Sequence, residues 1–420
     1  MRIIELTPGR RLAIKAGKLI DGTETPVPEN ITLYIEKQKI RGLSPLSVSL
    51  NFPGEITGRL PNHAPDNSAI ERQDQYEWID LSHCTLLPGF IDCHVHMALD
   101  GRDFHRSLDR WNDPSALEKQ VAKELSATLR QGILAIRDGG DLKGIGLSYR
   151  NEAAKGGLTG PLIKSTGWAI SKKGKYGSFL GPGYTSEELS GAVKKLAAAG
   201  ADQIKVLVSG VVSFKQYRKV GELQFTEQEL SLIVKLAREA GLKVMAHASS
   251  DEAVNLAIKA GVDSIEHGYF ISKDSLETMA EAGTAWIPTM APVASQVKGE
   301  RRNNYTSEQI EIIEKTYRRQ QEMLAVAAAM GVLLGVGTDA GATGVLHGTG
   351  YMEELMLYRE AGLSEDTILT AATANAADIS GFKNMGRIKP GLPACIIAVK
   401  GNPLEDLSCL KNIEYIFLPQ

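Results

Sequence analysis

Cysteine is scarce in this 420-residue chain: only Cys84, Cys93, Cys395 and Cys409 occur, and no two form a C-x-x-C pair. That spacing excludes a zinc ribbon, a thioredoxin-type centre and a dense disulfide framework, and it leaves four small buried hydrophobes as the expectation. Long hydrophobic runs are missing too. No apolar stretch reaches the roughly 18 residues of a membrane span. The opening MRIIELTPGRRLAIKAGKLI mixes charges into its apolar stretch instead of building a signal-peptide core, so a cytoplasmic protein away from membranes is expected. Neither sign of charge dominates, since Lys+Arg 47 stands against Asp+Glu 50, for a net charge of -3. Without a basic stripe, nucleic acid and anionic membranes are not expected partners, and a small molecule is. Internal repeats and low-complexity tracts are also absent. Hydrophobic residues at 43% and charged residues at 23% fit a globular chain long enough for one large α/β domain carrying a smaller one.

From about Leu86 to Leu369, short apolar runs alternate with amphipathic segments, which is a βα rhythm. Thr226 with Glu229 predicts a capping box, closed by Gly241, and Ser249 with Glu252, closed by Gly261, predicts another. The runs LLPGFIDCHVHM, ILAIRDGG, LIKSTGWAI, IKVLVSGVV, KVMAHASS, SIEHGYF, AWIPTM and LLGVGTDAGA predict eight parallel strands. Eight such units suit an α/β fold of the (β/α)8 TIM-type barrel class, although a doubly wound open sheet shows the same alternation. Strand-like alternation with turn glycines in residues 11 to 42 and again after Gly386 predicts a small sheet domain assembled from both ends. The expected divisions are 1–82, 83–382 and 383–420, with a Pro-, Asn- and Ser-rich surface excursion at 43–75.

Four of the eight histidines fall at the C-terminal ends of predicted strands: His94, His96, His247 and His267. Residues two apart on a strand face the same side, so His94 and His96 can present both imidazoles to one centre at the mouth of a barrel. Two unrelated polar residues give the same pattern, and His247 or His267 can equally be structural. Asp339 ends the last run, where a carboxylate can ligate a metal and carry a proton, or cap a helix. Gly335, Gly337 and Ala340 make a G-x-G-x-x-A match there, but no βαβ unit follows it. Lys205 stands inside the apolar run IKVLVSGVV, where an unpaired ammonium costs several kcal/mol. It must pair with an acid, lose its proton, or become a carbamate through carbon dioxide.

Taken together, LPGFIDCHVHM, ADQIKVLVSG, VMAHAS, DSIEHG and GVGTDAG resemble the strand signatures of the amidohydrolase superfamily of metal-dependent hydrolases. KLIDG and MGRIKPGLPACIIAVKGNPLED are similar to the composite β-sandwich that many members build from both termini. The resemblance implies a binuclear metal centre with one cation on His94, His96 and Asp339, a second on His247 and His267, and carboxylated Lys205 bridging them. It also implies two divalent metal ions, with zinc as the first choice, and carbon dioxide as the source of the Lys205 carbamate. The donors also suit manganese, cobalt or iron. Within the superfamily the chain looks most like the Xaa-Pro and Xaa-Arg/Lys dipeptidase branch and imidazolonepropionase-like members. It departs from the dipeptidases by reading STGWAISKKGKYGSFLGPG where they carry Thr-Gly-Gly-His. It departs from the deaminases by placing Ser250 three residues after His247, where they carry a glutamate.

The expected reaction is hydrolysis of a C–N amide-type bond in a dipeptide, N-acyl amino acid or related small amide by a metal-bridging hydroxide, with Asp339 moving the proton. A cyclic amide, lactone or urea hydrolase and a heterocycle deaminase are the alternatives on the same fold, and an inactive scaffold is the alternative from another class. Substrate contacts are expected from the βα loops, at Lys172, Lys173, Lys175, Tyr217, Arg218, Tyr269 and His347, with Trp168 as a pocket wall. A homo-oligomer is compatible with the fold, and nothing in the sequence fixes its size.

Overall fold

The computed structural model describes residues 1–23, 28–45, 75–156 and 160–419. Most of the expected 43–75 excursion, residues 46–74, lies outside the described residues. The strands in chain order are β1 (Arg2–Leu6), β2 (Arg11–Leu19), β3 (Glu29–Glu36), β4 (Lys39–Pro45), β5 (Glu77–Pro88), β6 (Phe90–Val95), β7 (Ile133–Asp138), β8 (Leu162–Ser165), β9 (Ala169–Ile170), β10 (Gln203–Leu207), β11 (Lys243–Ala248), β12 (Ser264–His267), β13 (Ala285–Ile287), β14 (Ile396–Lys400) and β15 (Ile413–Pro419). Two compact units share them: Met1–Phe90 with Phe382–Gln420, and Ile91–Gly381.

The terminal unit is a seven-stranded sheet in the order β1-β15-β14-β5-β2-β3-β4. Its first strand pairs in parallel with its last, Arg2 opposite Tyr415. One sheet thus stands where a sandwich of two was expected, because β5 belongs to both halves, pairing β2 on one side and β14 on the other. The register jumps within β5: β2 advances from Ala16 to Lys18 while β5 advances from Leu81 to Thr85, a bulge that bends the strand. Gly17 is required there, because a Cβ would stand 2.4 Å from the Ser82 carbonyl oxygen. Leu12, Ile14, Leu33, Ile35, Leu86, Ile396 and Phe417 form the core against this sheet. The boundary also moves from 82 to 90, because Leu86, Leu87 and Pro88 of the first apolar run pair with β14 instead of opening the central unit.

In the central unit, strands follow one another in sequence order as two sheets, β6-β7-β8 and β9-β10-β11-β12-β13. The pairings of β7 with β8 and from β9 through β13 are parallel, and helices connect most of the successive strands. The third expected strand is split, with Gly167 in left-handed backbone (φ 72°) between β8 and β9. The eighth is not a strand: the run LLGVGTDAGA makes isolated bridges alone, Trp286 to Leu334 and Val95 to Ala340 with its neighbours and Ala340 to Ala342 within itself. It is nevertheless bonded on both sides, Trp286 N donating to Leu333 O (2.9 Å), Cys93 N to Val336 O (2.9 Å) and Asp339 N to His94 O (2.7 Å). Two features break its ladder. Asp339 is left-handed (φ 56°), and the chain passes so close to its neighbours that a Cβ on Gly337 would lie 2.5 Å from Ile287 Cγ2 and 2.9 Å from His94 N. Among the described residues the sheets do not join into one continuous closed barrel.

Helix Glu227–Glu239 starts as the sequence predicts, with reciprocal bonds between Thr226 and Glu229. Helix Asp251–Ala260 is capped by Ser250, whose side chain accepts from Ala253 N, and not by Ser249. The Ser249 N–H instead donates to Ser209 Oγ (3.0 Å) at the strand ends. Among the described residues no helix is long and apolar enough to cross a membrane.

Candidate metal centre

His94 lies near the end of β6, with His96 just beyond it, Lys205 in the middle of β10, His247 near the end of β11, and His267 as the last residue of β12. Asp339 arrives from the irregular segment beside β6. These six side chains converge. Lys205 Nζ is 2.8 Å from His94 Nε2, and Asp339 Oδ1 is 3.7 Å from His94 Nε2 and 3.5 Å from His96 Nε2. The His94 and His267 rings are 5.1 Å apart and those of His247 and His267 4.4 Å. The donor atoms of His94, His96 and Asp339 all lie within 4.8 Å of one another, a grouping fit for a cation. His267 and Asp339 both hold left-handed backbone (φ 72° and 56°), a cost that clusters at functional sites.

Each imidazole is oriented by the nitrogen that faces away. His94 Nδ1 bonds Glu266 Oε2 (2.7 Å), His96 Nδ1 bonds Gly140 O (3.0 Å) and His267 Nδ1 bonds Thr289 Oγ1 (2.6 Å), so Nε2 of each is left for the centre. His247 is turned the other way, with Nε2 3.3 Å from Gly210 O and no hydrogen-bond partner for Nδ1 among the described residues. Bonds of this kind fix the tautomer and raise the basicity of metal-binding histidines. Burial, assisted by Lys205, pushes His96 and His247 down to about 3 and His94 well below the usual imidazole range. Burial and the His247 ring do the same for His267. Burial likewise brings Lys205 down to about 8 against the pull of Glu266 and Asp339, and raises Asp339 to about 7 against the pull of Lys205. Four unprotonated imidazoles held by their far nitrogens are the state in which a divalent cation is bound, so the residues present fit such ions.

Two buried charges behind the cluster escaped the sequence reading. Arg137 Nη2 donates to both Glu266 oxygens (2.8 and 2.9 Å), Arg137 Nη1 to Ser264 Oγ (3.1 Å), and Arg137 Nε to Cys93 O. Their signal was present in the sequence: ILAIRD and SIEH each carry a charge inside a buried strand, as does the Lys205 run.

The amidohydrolase family model matches residues 85–417. The chain belongs to the amidohydrolase family. Members of the family generally use divalent metals, and this amidohydrolase is a hydrolase acting on C–N amide-type bonds. Among its relatives, ochratoxinase of Aspergillus niger is 27% identical over 367 residues, covering 78% of this chain and 72% of that protein. Imidazolonepropionase of Paracoccus denitrificans is 24% identical over 356 residues, covering 75% of this chain and 79% of that one. The crystal structure of a Xaa-Pro dipeptidase with bound methionine in the active site superposes with a TM-score of 0.77 at 28% identity, covering 97% of this chain and 98% of that one.

Beside the cluster this amidohydrolase has a cavity of about 400 Å³, within the usual range for a small-molecule site. His96, Lys205, His247, His267 and Asp339 line it, as does Tyr269, which stacks on His267 at 5.7 Å. The other residues expected to meet substrate are elsewhere. Tyr217 is 38% exposed with its ring edge against Phe270, and Arg218 is exposed in left-handed backbone. His347 is buried with Nε2 2.8 Å from Leu99 O, beside Glu124 and Val121. Trp168 Nε1 donates to Tyr184 OH (2.8 Å). Lys172 pairs with Glu229, and Lys175 with Glu222. Lys173, like these, is outside the lining. Sequence reasoning missed the aromatic walls, because Phe104, Tyr176, Phe179 and Tyr305 come from segments with no strand-end signal.

Proposed function

We propose that this amidohydrolase works through a binuclear centre at the mouth of a closed (β/α)8 barrel, with the sheet unit drawn from both ends as a companion domain. Backbone bonds from residues 333–340 to both β13 and β6 support the closure. His94, His96 and Asp339 would hold one divalent cation and His247 and His267 a second, with Lys205, as a carbamate, contributing an anionic ligand. The observation that carries this reading is the convergence of Lys205 Nζ, His94 Nε2, His96 Nε2 and Asp339 Oδ1 within 2.8 to 3.7 Å of a partner, while the far histidine nitrogens are tied down. Lys205 gives its hydrogen bond to an imidazole, where an ammonium would seek an acid. Addition of the neutral amine to carbon dioxide forms an N–C bond and releases a proton, leaving an anion with two oxygens among neutral imidazoles. Zinc suits imidazole and carboxylate donors well, and manganese, cobalt and iron share them.

When bound, the cations supply a Lewis acid for the scissile carbonyl and an acidified water at neutral pH. Asp339 accepts the proton of the attacking water at a carboxylate oxygen and passes it to the leaving nitrogen as the tetrahedral intermediate breaks the C–N bond. The cavity walls orient the small amide and exclude bulk water. Likeness to an ochratoxinase and a Xaa-Pro dipeptidase supports an amide among the electrophiles such a centre can hydrolyse. Asp339→Asn should abolish release of amine from small amides while circular dichroism stays that of the wild type. Undiminished turnover in that variant would remove Asp339 from the proton path.

A further inference from the structure

The cavity is almost without charge. Among the described residues its only charged side chains are Lys205 and Asp339, both assigned above to the metal centre, so none of the described residues offers an ionic group for the rest of a substrate. The walls are Leu99, Phe104, Phe179, Phe214 and Val293 with the rings of the nearby tyrosines. The polar side chains there are largely occupied. Gln296 spends its amide on Pro292 O (2.8 Å), Thr343 O (2.8 Å) and Tyr305 OH (2.9 Å), and Ser249 Oγ lies 3.4 Å from His247 Nε2. Lys172 and Lys175 are paired outside the lining. Arg301 Nε lies beside Gly344, 3.2 Å from where a Cβ there would stand, and is outside the lining.

Away from the proposed metal centre, a free carboxylate or ammonium held against these walls gives up its hydration and finds no counter-ion among the described residues, which costs several kcal/mol, whereas an aromatic or branched aliphatic group gains by burial. We infer that the substrate is an uncharged amide-type molecule with an aromatic or branched aliphatic substituent, and not a zwitterionic dipeptide or a free N-acyl amino acid. This inference rests on the hydrolase reading above and narrows it from small amides in general to neutral, apolar ones.

The test compares three compounds on the metal-loaded enzyme: N-isopentylbenzamide, N-benzoyl-L-leucine, which is the same amide bearing a carboxylate, and the dipeptide Phe-Leu. The neutral amide should exceed both others in kcat/KM by about tenfold or more. Phe214→Arg, which puts a cation in the wall, should move the preference toward N-benzoyl-L-leucine. A wild-type preference for the carboxylate compound or the dipeptide overturns the inference and leaves the hydrolase reading standing, and loss of that preference in Arg301→Ala would identify the group responsible. If none of the three is cleaved, calorimetric titration of the same compounds decides. Tighter binding of the neutral amide keeps the inference and excludes only these three compounds as substrates, and equal or weaker binding overturns the inference.

Discussion

Arg137 holds Glu266 by two hydrogen bonds of 2.8 and 2.9 Å, and the same carboxylate accepts from His94 Nδ1 at 2.7 Å. Both members of the pair are essentially inaccessible to solvent, so each is the other's compensation for lost hydration. Arg137→Met should therefore cost about 3–5 kcal/mol by leaving buried Glu266 without its cationic partner. Glu266→Gln, which keeps the shape, should lower metal affinity about 10- to 100-fold. Urea denaturation and metal titration separate the two effects. A stable Arg137→Met protein with normal metal binding would show that the pair matters to neither.

Thr289 plays the corresponding part for His267, bonding its Nδ1 at 2.6 Å. Thr289→Val should weaken metal binding about 10- to 100-fold, and Thr289→Ser should restore it, because the hydroxyl orients the ring. Equal affinity in the two variants would assign Thr289 a packing role.

Gly337 is the point where the irregular eighth segment slides between β13 and β6. A methyl group there would meet Ile287 Cγ2 at 2.5 Å and the His94 Cβ at 2.9 Å. Gly337→Ala should cost about 1–3 kcal/mol and displace His94, so stability and metal content fall together. Loss of neither would mean that the segment yields more easily than its packing indicates.

Glu229, which does not line the cavity, makes a pH-dependent contribution to stability. Partial burial raises its pKa, but hydrogen bonds with Lys172, Ser186 and Thr226 N outweigh that and bring it from 4.5 to about 2. A depressed acid contributes stability that is present above its unfolded value and lost as pH falls toward its folded one. The stability gap between wild type and Glu229→Gln, measured on metal-free protein, should therefore narrow as pH is lowered from 5 toward about 2. A gap independent of pH would place the contribution in the capping geometry alone.

The residues of the centre were legible wherever a local rule was broken or a short period was kept. His94 and His96 stood out through the two-residue repeat of a strand, and Lys205 through a charge in an apolar run. Asp339 stood out as the end of the last apolar run, and the structure groups it with His94 and His96, although its segment is not a strand and its left-handed backbone leaves no periodic trace. Tyr217, Arg218, His347 and Trp168 were chosen by nearness in sequence to strand ends, but loops turn without a period: Tyr217, His347 and Trp168 meet other partners, and Arg218 is exposed. The neutral wall came from loop aromatics, which read in a sequence as ordinary packing. In the terminal unit the strand alternation was plain, whereas the pairing of β1 with β15 joins the two ends of the chain and leaves no local signal.

Metal content per chain tests the central claim most directly, measured on wild type and Lys205→Ala purified without chelator in bicarbonate buffer. The binuclear account predicts about two divalent ions in the wild type and a clear loss in the variant. A single ion unaffected by the substitution, or none in either protein, would contradict it.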